Sequence, residues 1–203
     1  MSHDPHQAFF DELAAEWDLN FTAEDLERLE FIVNHLGVKP GMNILDLGCG
    51  TGVLFDMLRR RVGQEGTVTG VDFSIEMARK AHRNFPFPNV NVVDADASAL
   101  PFFDSTFDMG ISFASFPHFT HQQTALDEVD RVLKPRAMFY IIHLISSREL
   151  SEIHEQIGGV LEKDKLPAAD KMRAMFDASN FSEVQIDDHP GLYLASAVNA
   201  KTK

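Results

Sequence analysis

The sequence holds a single cysteine, Cys49, in 203 residues, which excludes an intrachain disulfide and any zinc or iron–sulfur site built from cysteines alone. Positive charge is also scarce: 18 Lys and Arg stand against 31 Asp and Glu, a formal net charge of −13. Such a chain repels a polyanion at long range, so composition gives no support to nucleic-acid binding. Long apolar runs are missing as well. The longest, 137–145, is interrupted by His143 and is about half the ~20 residues a membrane helix requires, so no membrane insertion is expected and the run reads as a buried strand. Residues 1–12 carry Asp4, Asp11 and Glu12 without a basic stretch and a long apolar one, which does not fit a signal peptide. With one cysteine, a cytoplasmic location is the expectation. Internal repeats and low-complexity segments are absent. What remains is 44% hydrophobic and 24% charged, the balance of an ordinary folded protein, and its length predicts one domain over 1–203.

Helical spacing of Phe9, Phe10, Leu13 and Trp17 predicts a first helix, and Thr22 and Asp25 suit the start of a second over 23–36. Gly37 and Pro40-Gly41 stop it. A short apolar run, 43–47, then ends in a glycine-rich turn, and strand and helix alternate from there. Helix is predicted to Val62, strand at 67–72, helix at 74–85, and strands at 90–93 and 107–112. A helix near 122–133 and the buried strand 137–145 follow, with Pro135 as punctuation between them. Beyond lie helices at 147–157 and from Pro167 to about Ser179. The last two strands, 184–188 and 192–198, are separated only by a short Pro190-Gly191 turn, too close for a parallel crossover, so they pair antiparallel. The sum is α/β: a doubly wound, seven-stranded, mostly parallel sheet with an antiparallel C-terminal hairpin.

The segment Ile44-Leu45-Asp46-Leu47-Gly48-Cys49-Gly50-Thr51-Gly52 sits where the first strand meets the first helix after it. Alternate glycines allow a sharp turn and let a ligand approach bare main chain. A plain tight turn would use them too, but G-x-G-x-G lacks both the G-x-G-x-x-G of dinucleotide binding and the Gly-Lys-Ser/Thr of a phosphate loop. With Asp46 before it, the segment resembles the first motif of the class I S-adenosylmethionine-dependent methyltransferases, which have a Rossmann-like fold. Within that family the chain resembles small-molecule members of the ubiquinone/menaquinone C-methyltransferase-like group. The resemblance implies S-adenosylmethionine as cofactor, with Asp46, Gly48, Gly50 and Gly52 beside it. It implies that Asp72, closing the second strand, accepts both ribose hydroxyls, although an Asp there also suits capping of the next helix. Phe73 and Met77 would flank the adenine, Asp96 would accept its amino group, the main chain of Ala97 would pair with a ring nitrogen, and Phe113 would contact the methionine portion. Relatives continue with Gly-Gly where this chain has Arg136-Ala137. Residues 1–36 would form a helical lid, and 146–167 would be an insertion on the acceptor side.

Transfer from a sulfonium is an in-line displacement, so placement and exclusion of water dominate, and a base is needed only for a protonated acceptor. Four histidines, His118, His121, His143 and His154, fall near the ends of the fourth and fifth strands, where ligands of such sheets bind. His143, breaking an apolar strand, and His118 are the catalytic candidates; His143 is expected to emerge above the cofactor methyl. The His118-x-x-His121 spacing is short for loop ligands and no clustered carboxylate completes it, so no metal site is expected. The loop after Ala114 reads Phe116-Pro117-His118-Phe119 rather than Asn-Pro-Pro-Tyr, and no target-recognition domain is added. Both point to a small-molecule acceptor, handled by a monomer or homodimer. A cofactor-binding regulatory or scaffold protein without turnover is the alternative, and the glycine spacing disfavours a nicotinamide oxidoreductase.

Overall fold

A computed structural model describes residues 4–202. Residues 1–3, the start of the expected lid, and residue 203 lie outside the described residues. In chain order the elements are α1 (Pro5–Leu13), α2 (Ala23–His35), β1 (Asn43–Leu47), α3 (Phe55–Val62), β2 (Thr67–Asp72), α4 (Ile75–Asn84), β3 (Val90–Asp94), β4 (Phe107–Phe113), α5 (Gln122–Val132), β5 (Leu133–His143), α6 (Ser147–Ile157), α7 (Ala169–Ala178), β6 (Phe181–His189) and β7 (Leu192–Asn199). The seven strands form one sheet in the order β3-β2-β1-β4-β5-β7-β6, parallel through β5 and antiparallel at β7 and β6.

Two-residue alternation along each strand divides the interior into two layers. In β1, Leu45 and Leu47 join one core with Leu126 and Val129 of α5 and Phe176 of α7. Ile44 joins the other, with Leu29 and Val33 of α2 and Phe55 and Leu58 of α3. Asp46 shares the parity of Ile44 and is 1% exposed. A third, smaller cluster, Phe10, Ala14, Met77 and Leu161, fastens α1 over the carboxyl end of the sheet. The order of strands reverses at β1 and β4, and a crevice opens at their carboxyl ends, the position where open α/β sheets bind ligands.

The structure moves several expected boundaries. The first helix stops at Leu13, and Trp17 begins a separate turn, Trp17–Asn20. Lys80 Nζ donates to the Ala14 and Ala15 carbonyls at 3.0 and 2.9 Å, capping the helix end where the apolar spacing alone would have continued it. Yet Phe10 and Trp17 still meet edge to face, their centroids 5.7 Å apart. The helix after the glycine turn starts at Phe55 rather than Gly52, because 51–54 stay in the turn. β5 starts at Leu133 and includes Pro135: the register jumps from Phe107 opposite Leu133 to Met109 opposite Met138, so β5 bulges there and Pro135 interrupts no ladder.

Arg136 lies in that bulge with φ +66°, a left-handed conformation that costs a side-chain-bearing residue about 1–2 kcal/mol. Its ion pair with Glu183, 2.8 Å long, leaves both side chains more than half exposed and offsets little. Arg136→Gly is therefore expected to raise the melting temperature by about 2–4 °C. A melting temperature that stays put or falls would show that the bulge carries no such strain.

Candidate functional site

The site is built on the turn that leaves β1. Gly48 and Cys49 both donate their main-chain N–H groups to Val71 O, at 2.8 and 3.0 Å, which ties the turn to the end of β2. Gly48 has φ +73°, and a Cβ there would lie 2.4 Å from Ser115 Cβ, so only glycine lets the loop after β4 pack so closely. Ser115 holds that loop in place by donating to Leu47 O at 2.9 Å. Gly52 packs against Phe55 and Phe85 and belongs to the core side of the turn. Cys49 is buried in the same turn, and burial, then Asp72 and Asp46, push its thiol well above the usual range, so it stays a thiol.

Asp72, at the end of β2, faces the turn. Its Oδ2 accepts from Gly50 N at 2.7 Å and its Oδ1 from Ser74 N at 2.9 Å. Ser74 in turn caps α4 by accepting from Met77 N. The residue thus supports the helix start and braces the glycine turn at once. Each carboxylate oxygen retains acceptor capacity. Burial, tempered by those two hydrogen bonds, raises its pKa to about 6.

The crevice has two lobes that meet at Gly48, Asp72, Phe73, His118 and Phe119. The first is walled largely by Phe10, Trp17, Phe21, Phe73, Met77 and Phe113. The second runs past Leu47, Val71, Ala95, Asp96 and Ala97. Neither has a lysine or arginine in its walls. Asp96 keeps its loop in shape by accepting from Ser98 N at 2.7 Å and Ser98 Oγ at 2.6 Å. Over the first lobe, α1 is latched to α4: Asp11 accepts from Ser74 Oγ at 2.6 Å and from Glu76 N at 3.1 Å, and Gln7 donates to Phe73 O at 2.7 Å. An acidic side chain at a helix start is favoured by the helix dipole.

Of the residues singled out from sequence, Gly48, Gly50, Asp72, Phe73, Met77 and Phe113 are brought together in the first lobe, and Asp96 and Ala97 lie in the second. Asp46 lies behind the turn. Its Oδ2 is buried without a hydrogen-bond partner, and burial, then the nearby Asp72, push its pKa up to about 8. The two candidate histidines separate. His118 is in the walls of both lobes. His143 is not: it is 2% exposed, its Nε2 has no partner, and its ring stands edge-on to Tyr193 at 6.2 Å. Burial, followed by His118 and His154, lowers the His143 pKa to about 3, so its ring is neutral. Among the described residues there is no group of three or more His, Cys, Asp or Glu side chains arranged to hold a metal ion.

The donor set fits S-adenosylmethionine. Asp72 offers two acceptor oxygens to a diol, the aromatic walls suit a purine, and the glycine turn presents main chain to the amino-acid portion.

Comparison with known proteins agrees. A family model described as a methyltransferase domain matches residues 44–136. The chain is 39% identical over 144 residues to a 2-phytyl-1,4-naphtoquinone methyltransferase of Nostoc sp., a match covering 67% of this chain and 63% of that protein. It is 29% identical over 200 residues to a demethylmenaquinone methyltransferase of Staphylococcus aureus, covering 85% of this chain and 81% of that one. The chain thus spans a little under two thirds of the first of these relatives. Solved structures share the fold. A SAM-dependent methyltransferase from Thermotoga maritima superposes with a TM-score of 0.75 at 18% identity, covering 96% of this chain and 99% of that one. One from Aquifex aeolicus gives 0.64 at 22% identity, covering 88% and 97%. By its glycine turn, its sheet and these relatives, the chain belongs to the class I S-adenosylmethionine-dependent methyltransferases.

Proposed function

We propose that the protein transfers a methyl group from S-adenosylmethionine to a small, uncharged, partly apolar acceptor of the naphthoquinol class. The observation that carries this is the crevice itself, with Asp72 and the glycine turn on one side, aromatic rings on the other, and no lysine or arginine in either lobe. When bound, the cofactor supplies a methyl group activated by its positive sulfur. Asp72 would hold the ribose hydroxyls, Asp96 and the Ala97 main chain the adenine edge, Phe73 and Met77 its faces, and the turn from Gly48 the methionine portion. Phe10, Trp17, Phe21 and Phe113 would place the acceptor and exclude water, which is most of what an in-line displacement asks of a protein. A wall without cations offers nothing to an anionic acceptor, and burying such a charge there would cost several kcal/mol.

The naphthoquinol class is supported by the two named relatives, which act on naphthoquinones. Residues up to 36 serve as the lid, and residues 146–167 border the acceptor side. No helix among the described residues is long and apolar enough to cross a membrane, and the acidic, cysteine-poor chain suits the cytoplasm, working as a monomer or homodimer. The test is methyl transfer to the hydroquinone of 2-prenyl-1,4-naphthoquinone, followed by mass spectrometry. Addition of one methyl to the ring is expected. Cofactor binding with no methylated product would refute the acceptor class.

A further inference from the structure

Four titratable side chains gather around His118 beside the crevice, and cofactor binding uses none of them. His118 closes the short turn Phe116–His118 after β4, and its ring is pinned edge-on by Phe10 at 5.0 Å. Its Nδ1 lies 2.7 Å from Asp164 Oδ2. Asp164 is itself held from two other directions. His6 Nε2, from α1, stands 3.0 and 3.1 Å from its two carboxylate oxygens, and His154 Nδ1, from α6, is 2.7 Å from its main-chain oxygen. The side chains of His118 and Asp164 are each only 10% exposed.

The hydrogen count fixes the tautomer. An ionised carboxylate can only accept, so the nitrogens of His118 and His6 that face it must carry hydrogens. His118 in its neutral form is then Nδ1–H, leaving a lone pair on Nε2. No described residue is hydrogen-bonded to that atom, and the ring is in the wall of both lobes. Burial holds the His118 pKa below its usual 6.5 despite Asp164. Asp164, which burial would raise, is kept below the usual carboxylate range by its bonds to His118 and His6. The other titratable groups facing His118 are His6, His154 and the neutral His143.

Resting on the function proposed above, we infer that His118 is the general base for the acceptor and that Asp164 is the residue positioning it. His118 Nε2 takes the proton of the acceptor's hydroxyl. The electron pair so released drives the acceptor's nucleophilic atom onto the methyl carbon. The carbon–sulfur bond breaks with its pair remaining on sulfur, which becomes a neutral thioether, and the proton leaves His118 for water; the methylated ring carbon then loses its own hydrogen to water as the carbonyl oxygen takes up a proton, which restores the hydroquinol. Asp164 fixes the ring's orientation and stabilises the imidazolium while it exists. His6, carried by α1, supplies the second donor to Asp164, so the helix over the crevice takes part in holding the base.

Full-length protein labelled with 15N-histidine tests the geometry without any acceptor. His118 is expected as the Nδ1–H tautomer, and Asp164→Asn is expected to shift it toward Nε2–H. In turnover with 2-prenyl-1,4-naphthohydroquinone, Asp164→Asn should lower kcat by about a hundredfold or more while S-adenosylhomocysteine affinity stays within about twofold. The His118→Ala, Asp164→Asn double variant should be no slower than His118→Ala alone, since the pair acts as a unit. A wild-type Nε2–H tautomer, or an Asp164→Asn kcat within about twofold of wild type, would overturn the inference. Wild-type protein that fails to bind S-adenosylhomocysteine would overturn the function itself. Wild-type protein that binds it but leaves this acceptor unmethylated would overturn the acceptor class, and the tautomer would then decide the dyad.

Discussion

Replacing Asp72 with alanine is expected to weaken S-adenosylhomocysteine binding at least about a hundredfold in calorimetry, since hydrogen bonds to a charged acceptor contribute roughly 1.5–3 kcal/mol each and a diol makes two. The loss has two sources. The carboxylate is the one acidic group at the meeting point of both lobes, and it also braces the Gly50 N–H at 2.7 Å. Asp72→Asn keeps the shape but loses one acceptor, so an intermediate loss is expected. Binding should also fall as pH drops through about 6, where Asp72 takes up a proton. A folded Asp72→Ala variant that binds within about threefold of wild type would remove Asp72 from the site.

The second large effect concerns stability and pH, through Asp46. Its folded pKa, about 8, lies above the ordinary 3.8 because the carboxyl is buried with one oxygen unpaired beside Asp72. The native state therefore keeps a proton that the unfolded chain releases. Its contribution is complete below pH 3.8 and is lost as pH rises through about 8. Asp72 acts in the same sense, between 3.8 and about 6. Wild-type stability in urea should decline from pH 6 to pH 8.5, and Asp46→Asn, which has no charge to bury, should flatten that decline and be more stable than wild type at the alkaline end by on the order of a few kcal/mol. Parallel pH profiles for the two proteins would show that Asp46 does not carry the effect. A gain in stability joined to weaker cofactor binding would mark the buried carboxyl as kept for function rather than for folding.

The parts of this molecule that could be read directly are those whose cause is local. β1 and β2 start and stop where their apolar runs do, and the glycines from Gly48 to Gly52 announce a turn whose positive φ angles the structure confirms. Helix α6 runs from Ser147 to Ile157 as expected, because Ser146 and Glu149 form a capping box and Gly158 ends it. What escaped was decided by contacts distant in the chain. Asp164 sits in a run of charged residues, 162–165, that reads as solvated loop. Only folding brings it to His6 and His118, 158 and 46 residues away. His143 shows the converse. An imidazole in an apolar strand signals chemistry in sequence, yet packing against Tyr193 places it behind the wall. The early start of β5 has a similar origin, since Leu133 pairs with Phe107 across a bulge at Arg136 that no local pattern announces.

The most direct test of the account is a crystal structure of the protein with S-adenosylhomocysteine. The account predicts the ligand across both lobes, with the ribose hydroxyls on the two Asp72 oxygens, the adenine edge at Asp96 and the Ala97 main chain, and the sulfur turned toward the side of the crevice where His118 stands. A ligand bound elsewhere, or lying in the crevice with Asp72 more than hydrogen-bond distance from the ribose, would contradict it.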